Sequence, residues 1–402
     1  MPRRIKEEMV NAPTPSSPTI PQTSSRPQTV DSVTPAFDRE TGSPSQETMA
    51  DSDVTMNGAD DAMQSLGAHS HRLIQGIKKL ESFNINATLP SLPKFIVVGD
   101  QSAGKSSIVE ALCDIALPRN QGTCTRCPFL ISTSSQTLSG NWSASISIKQ
   151  SYSFSSHGGS TQWTPHESIV THFASITEKQ DLDVMLRRAQ VAVLNPHANP
   201  LSFVTLDIRS AAASSRKVAF SPNVISLEIQ GPNLPEMSFY DLPGSINVTP
   251  DDEDQSLVHW IEALVKGYIE DEKSRILLAH GADQDIETST TFRFIKACKA
   301  IGRCAGVLTK ADLLQSGPGK AQYIQQLLGG RKFVLGQGWY ITKQLSQAEV
   351  DDRTNHAEAR RREAEFFQRE PWASFQDLQH RFGIPHLQQA VSRGLTDHIR
   401  SE

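Results

Sequence analysis

From residue 95 onward, short apolar runs alternate with segments whose apolar residues recur every three or four positions. The runs FIVV (95–98), VISLEI (224–229), MSFY (237–240), RILLAHG (275–281), CAGVLT (304–309) and GWYITK (338–343) predict short, buried strands. Between them, Ile108, Val109, Ala111 and Leu112 carry helical spacing, as do DQSLVHWIEALVKGYIEDE (254–272), TTFRFIKACKAIG (290–302) and AQYIQQLLGG (321–330). Strands alternating with helices predict an α/β domain with a mostly parallel central sheet flanked by helices. Residues 131–220 break the rhythm. They are serine-rich, alternate strictly in NWSASISIKQSYSF and turn helical near DLDVMLRRAQVAVL, so we expect an insertion of antiparallel hairpin and helix.

Two flanks complete the layout. Residues 1–65 are rich in Pro, Ser and Thr and nearly free of aromatic side chains, which predicts a disordered tail. Residues 66–82 read as an amphipathic helix with Leu66, Leu73, Ile74, Ile77 and Leu80 on one face, and 356–400 as further helix. The expected organisation is thus a tail and one domain over 66–402.

Composition narrows the function classes. A net charge of −5 over 402 residues offers no broad basic field for nucleic acid. No apolar run approaches the roughly 18 residues that span a bilayer, and no apolar core follows the basic MPRRIKEE. Five cysteines, an odd number, fit a reducing compartment. We therefore expect a cytoplasmic protein. Cys124 and Cys127 match C-x-x-C, but Cys113, Cys298 and Cys304 form no second pair for zinc.

The chemistry begins at Gly99-Asp100-Gln101-Ser102-Ala103-Gly104-Lys105-Ser106-Ser107, a G-x-x-x-x-G-K-[ST] loop between a strand and a helix. Gly99 and Gly104 let backbone N–H groups converge on phosphate, and the helix N-terminus adds partial positive charge. Lys105 would reach the β- and γ-phosphates, and the Ser106 hydroxyl would ligate Mg²⁺. Downstream, Asp241-Leu242-Pro243-Gly244 ends an apolar strand, where Asp241 can hold Mg²⁺ through water and the Gly244 N–H can meet the γ-phosphate. Thr309-Lys310-Ala311-Asp312 ends another. The Asp312 carboxylate can accept from guanine N1–H and the 2-amino group, whereas adenine would leave it unsatisfied. The Lys310 stem can pack along the loop and base, and Thr342, Lys343 and Gln344 stand where a base- and ribose-contacting loop would lie. In LPRNQGTCTR (117–126), Thr125 can offer Mg²⁺ a second hydroxyl.

With GDQSAGKSS, LPRNQGTCTRCP, SFYDLPG, VLTKADLL, GWYITK and the closing EFFQREPW…RFGIPHLQQAVSRGLTDHIR assembled, residues 70–402 resemble the dynamin superfamily of large GTPases, and within it the fungal dynamin-like and Mx-like proteins. The resemblance implies a P-loop GTPase domain larger than Ras. It also implies hydrolysis of GTP to GDP with Mg²⁺, stimulated when two GTPase domains meet face to face. Carried over, Gln101 positions the attacking water and Ser102 helps hold a monovalent cation near the β–γ bridge. The family's role lies in membrane and organelle remodelling, with a link to microtubules, which implies at most a peripheral place at an organelle membrane.

A second reading is a GTP-binding module that hydrolyses weakly and regulates full-length relatives by pairing with them. Asn120 in place of the family's frequent glycine favours it, as does Thr290 where many relatives carry an acid that reaches across the dimer. An ATP-using enzyme would require TKAD to be accidental. With the sequence ending at LTDHIRSE, we expect no stalk beyond it, and so neither tubulation nor scission of liposomes by this chain alone.

Overall fold

Phe95 and Val97 point to one side of strand β1 (Phe95–Val98), Ile96 and Val98 to the other, and each side meets its own apolar core. A strand buried on both faces needs the unbroken apolar run seen in the sequence. The computed structural model describes residues 94–118, 125–135, 141–157, 160–208, 217–232, 234, 237–244, 255–314, 318–346, 349 and 354–401. The expected tail over 1–65 and helix over 66–82 lie outside the described residues.

The helices are α1 (Lys105–Cys113), α2 (Leu182–Val193), α3 (Gln255–Glu270), α4 (Thr290–Ala297), α5 (Pro318–Leu328), α6 (His356–Phe367) and α7 (Gly383–Ser401). The remaining strands are β2 (Phe129–Ser134), β3 (Ser143–His157), β4 (Ser160–Ile176), β5 (Val224–Gln230), β6 (Met237–Asp241), β7 (Arg275–Gly281), β8 (Cys304–Thr309) and β9 (Trp339–Ile341). Among the described residues these strands form a nine-stranded sheet of order β4-β3-β5-β2-β6-β1-β7-β8-β9. The block β6-β1-β7-β8-β9 is parallel throughout. β1 has β6 on one side and β7 on the other, so the chain leaves it in opposite directions. A crevice forms at the carboxyl ends of strands at such a switch point.

Helices cover both faces, as the periodicity predicts. Ile108 and Leu112 of α1, Leu186 and Val193 of α2, and Leu387 and Val391 of α7 share a core with Phe95 and Val97. Ile261 and Val265 of α3, Ile295 of α4 and Ile324 of α5 pack with Ile96 and Val98. Each such side chain, fully buried, contributes about 1.5–3 kcal/mol. No described helix is long and apolar enough to cross a membrane.

Two expectations are corrected. Residues 131–134 do not open the insertion. They belong to β2, whose alternating Phe129, Ile131 and Thr133 are buried between β5 and β6. The insertion's hairpin, β3 and β4, pairs antiparallel to β5 and extends the same sheet. Nor is 356–400 continuous helix. Short 3-10 turns at Trp372–Ser374 and Gln376–Arg381 separate α6 from α7. Phe367, Trp372, Phe375 and Phe382 fold into one aromatic cluster there, at ring separations of 5.1–6.5 Å. Burying those rings together requires the chain to turn, and Pro371 and Gly383 (φ 81°) accommodate it.

Gly306 of β8 lies directly beneath Trp339 of β9; a Cβ there would stand 2.1 Å from the indole ring. Trp339 is fully buried and donates its ring N–H to the Phe333 carbonyl at 2.8 Å, so it has little room to move. We expect Gly306→Ala to destabilise the domain by about 1–3 kcal/mol through overpacking. A denaturant midpoint equal to the wild type's would contradict this packing.

Candidate active site

The loop from Gly99 to Gly104 joins β1 to α1 at the carboxyl edge of the sheet. It passes so near β7 that a Cβ on Gly99 would lie 2.5 Å from the Ala279 carbonyl oxygen. Gly104 caps α1 at φ 83°, and Ser102 also takes the left-handed region at φ 62°. Gln101 and Ser102 are exposed on the loop, whereas Lys105 is buried and Ser106 and Ser107 are partly buried in the first turn of α1. The Lys105 ammonium donates to the Gly99 and Asp100 carbonyls at 3.1 and 3.0 Å. Gly244 stands against it, since a Cβ on that glycine would lie 2.7 Å from Lys105 Nζ.

Three oxygen-bearing side chains converge beside this ammonium. Ser106 Oγ donates to Asp241 Oδ2 at 2.7 Å, Thr125 Oγ1 donates to the same oxygen at 3.2 Å, and the two hydroxyls are 3.2 Å apart. Burial pushes the Asp241 carboxyl up, while the Ser106 hydroxyl, the Lys105 charge and the Thr125 hydroxyl pull it down. Its other oxygen, Oδ1, is buried without a hydrogen-bond partner. An orphaned buried carboxylate oxygen is costly and calls for a ligand. Hard oxygens on Ser, Thr and Asp are the donor set that Mg²⁺ takes, in part through water. Ser106, Thr125 and Asp241 therefore fit the ion. A cavity of about 10 Å³ bordered by these three residues, Leu117, Pro118, Phe129 and Gln190 lies at the same place.

The remaining expected residues are present, some in other roles. The Asp100 carboxylate accepts from Thr291 N and Thr291 Oγ1 at 3.0 and 2.8 Å, at the start of α4. Thr309 is fully buried; its hydroxyl bonds to the Ala103 carbonyl at 2.8 Å and the His280 carbonyl at 3.3 Å. It fastens the TKAD turn to the phosphate loop. Lys310 is left-handed at φ 55°, and Asp312 is exposed on the short turn after it. The Lys343 ammonium pairs with Glu349 at 3.1 Å, so this side chain is engaged within the protein. Asn120, Gly122 and Cys124 lie outside the described residues. Cys127 is fully buried, and burial pushes its thiol up, which makes it unreactive. Among the described residues no group of three or more His, Cys, Asp or Glu is arranged to hold a metal.

Sequence reasoning did not find Thr291 or Glu363. Thr291 carried a faint signal, a Ser-Thr-Thr run opening a predicted helix. Glu363 carried none, being one of several glutamates in EARRREAEFF.

Thr309→Val keeps the side chain's shape but leaves the Ala103 and His280 carbonyls without their hydroxyl partner. We expect a loss of about 1–3 kcal/mol in unfolding free energy. Urea denaturation checks it, and a change below a few tenths would separate the hydroxyl from the staple.

Comparison with known proteins identifies the family. A family model described as the dynamin family matches residues 95–311, and one described as the dynamin central region matches 324–402. The chain is 28% identical over 326 residues to the interferon-induced GTP-binding protein Mx1 of Ovis aries, covering 80% of this chain and 43% of that protein. It is 27% identical over 325 residues to the human interferon-induced GTP-binding protein Mx2, covering 81% of this chain and 39% of that one. To the Mx protein of Solea senegalensis it is 27% identical over 292 residues, 72% of this chain and 40% of the relative. The chain thus spans about two fifths of the length of these curated relatives. The first family match runs from the strand that precedes the phosphate loop into the TKAD turn, and so takes in the elements that position Lys105 and Asp241. The chain carries a dynamin-type G domain and belongs to the dynamin family.

Proposed function

We propose that this domain binds GTP and hydrolyses it to GDP and phosphate with Mg²⁺. The observation that carries this reading is the Thr309 staple, which holds the guanine-reading turn against the phosphate loop. One nucleotide can then meet Asp312 with its base and Lys105 with its phosphates. Lys105, held now by two loop carbonyls, turns to the β- and γ-phosphates when these arrive. Ser106 and Thr125 would hold Mg²⁺ through their hydroxyls and Asp241 through water, and the ion would supply charge neutralisation at the phosphate oxygens. Gln101, exposed at the loop mouth, orients the attacking water, which a carboxamide can do without any pKa shift. Ser102 beside it serves a charge-compensating monovalent cation.

Pairing of two such domains across the nucleotide is the proposed route to faster turnover, with the family's work on membranes as its setting. A specific observation favours the alternative of a weakly hydrolysing regulatory module. Thr290 is buried, and its hydroxyl accepts from Arg293 at 3.1 Å, so this position offers no acid to a partner.

Turnover measured over a series of protein concentrations separates the two readings. For the enzyme, specific activity rises with concentration, and Gln101→Ala lowers kcat by at least roughly tenfold with GTP affinity nearly unchanged, because water positioning matters only toward the transition state. Flat, very slow turnover unaffected by Gln101→Ala would favour the regulatory module.

Asp312→Asn presents a donor where guanine's 2-amino group also donates, and it suits the 2-oxo group of xanthine. We expect GTP affinity to fall by roughly two orders of magnitude and XTP affinity to rise. Competition binding with the two nucleotides reads the exchange, and undiminished GTP affinity would move base recognition to another loop.

A further inference from the structure

The base-contacting loop is held at its root by a residue outside the nucleotide site. β9 ends at Ile341, and the last ladder bond of this edge runs from Thr342 N to the Leu308 carbonyl at 2.9 Å. The next donor, Lys343 N, has passed beyond the sheet. It donates instead to Glu363 Oε1 at 2.9 Å. Glu363 lies on α6 and is only 1% exposed. Its second oxygen, Oε2, accepts from Ile384 N at 3.0 Å, in the first turn of α7. One buried carboxylate thus joins the loop, α6 and α7 through two backbone N–H groups.

A positive group offsets the buried charge. Arg360 Nη1 stands 3.6 Å from Glu363 Oε2, and Arg360 Nη2 donates to the Ala111 carbonyl in the last turn of α1. Gln388 of α7 donates to the neighbouring Leu112 carbonyl at 3.0 Å. The same helix pair therefore caps the phosphate-loop helix and anchors the base loop. Hydrogen bonds to both oxygens and a neighbouring positive charge offset the cost of burying this carboxylate.

The residue after Lys343 links this anchor to the nucleotide site. Gln344 Oε1 accepts from Lys310 N at 3.4 Å, so the base loop's next side chain touches the TKAD turn. We infer that Glu363 is a positioning residue for base recognition: by fixing the Lys343 backbone it sets where Lys343 and Gln344 stand against Lys310 and Asp312, and so sets the preference for guanine over adenine nucleotides. This rests on the guanine-nucleotide reading above.

Calorimetry of GDP and ADP binding to the full chain with Mg²⁺ tests it, comparing wild type with Glu363→Gln and Glu363→Ala. Glutamine keeps the shape but has a single acceptor oxygen. Its GDP affinity should fall by roughly tenfold, the size of one lost hydrogen bond to a charged acceptor, and alanine's by more. ADP affinity, carried by the phosphates, should hold, so the ADP-to-GDP ratio of Kd narrows. A purely structural role would lower Tm and the binding-competent fraction but leave that ratio unchanged, which would overturn the inference. Should the alanine variant not fold, Glu363→Gln and amide exchange at Lys343 in the wild type still decide. Protection of that amide beyond its loop neighbours is expected, and exchange at the rate of an open loop would overturn the assignment. A wild type that binds neither nucleotide would defeat the guanine reading itself, separately from the role of Glu363.

Discussion

A loop that presents N–H groups to phosphate keeps few of them for holding itself in shape, so much of its conformation must be imposed by side chains and neighbouring elements. Here the fastening is distributed over several partners. Thr309 grips the Ala103 carbonyl from β8, Thr291 takes the Asp100 carboxylate from α4, and β7 presses against Gly99. Lys105 ties the Gly99 and Asp100 carbonyls from within. The left-handed Ser102 is a conformation a free chain rarely keeps, and it persists because these neighbours over-determine the loop.

Two buried carboxylates show opposite uses of the same group. Asp241 engages one oxygen with the Ser106 and Thr125 hydroxyls and keeps the other without a hydrogen-bond partner. Glu363 commits both oxygens to backbone N–H groups. Burial pushes both carboxyls up, and hydrogen bonds oppose the shift in each. The first arrangement leaves an acceptor open, and the second commits both of its oxygens.

The Glu363 carboxylate joins α6 and α7 to the segment after β9. α7 lays Leu387 and Val391 into the core that holds Phe95 and Val97, while α6 reaches the base loop through Glu363 and, by way of Glu349 and Arg362, through the Lys343 side chain. The match to the dynamin central region, over 324–402, therefore includes helices hydrogen-bonded to the segment after β9 and to the last turn of α1.

The local sequence determined what depends on local pattern. Apolar runs located β1, β6, β7, β8 and β9 of the parallel block, helical spacing located the helices between them, and the phosphate loop, DLPG and TKAD announced themselves at strand ends, where the structure places them. Lys105, Ser106, Thr125 and Asp241 could be read as one site because each residue type has a chemical reason to be there. Other features were decided only when distant segments met. The Asp100–Thr291 bond joins residues 191 apart, and the Thr309–Ala103 bond joins residues 206 apart. β2 could not be told from the serine-rich stretch after it, because its burial comes from β5 and β6 closing around it. The break between α6 and α7 is set by five aromatic rings, from Phe366 to Phe382, finding one another. Glu363 looks like any solvated glutamate on a charged helix until α7 and the base loop arrive with their N–H groups. Periodicity records whether a position faces a core, but a hydrogen bond between remote segments leaves no period to read, so only the assembled fold reveals it.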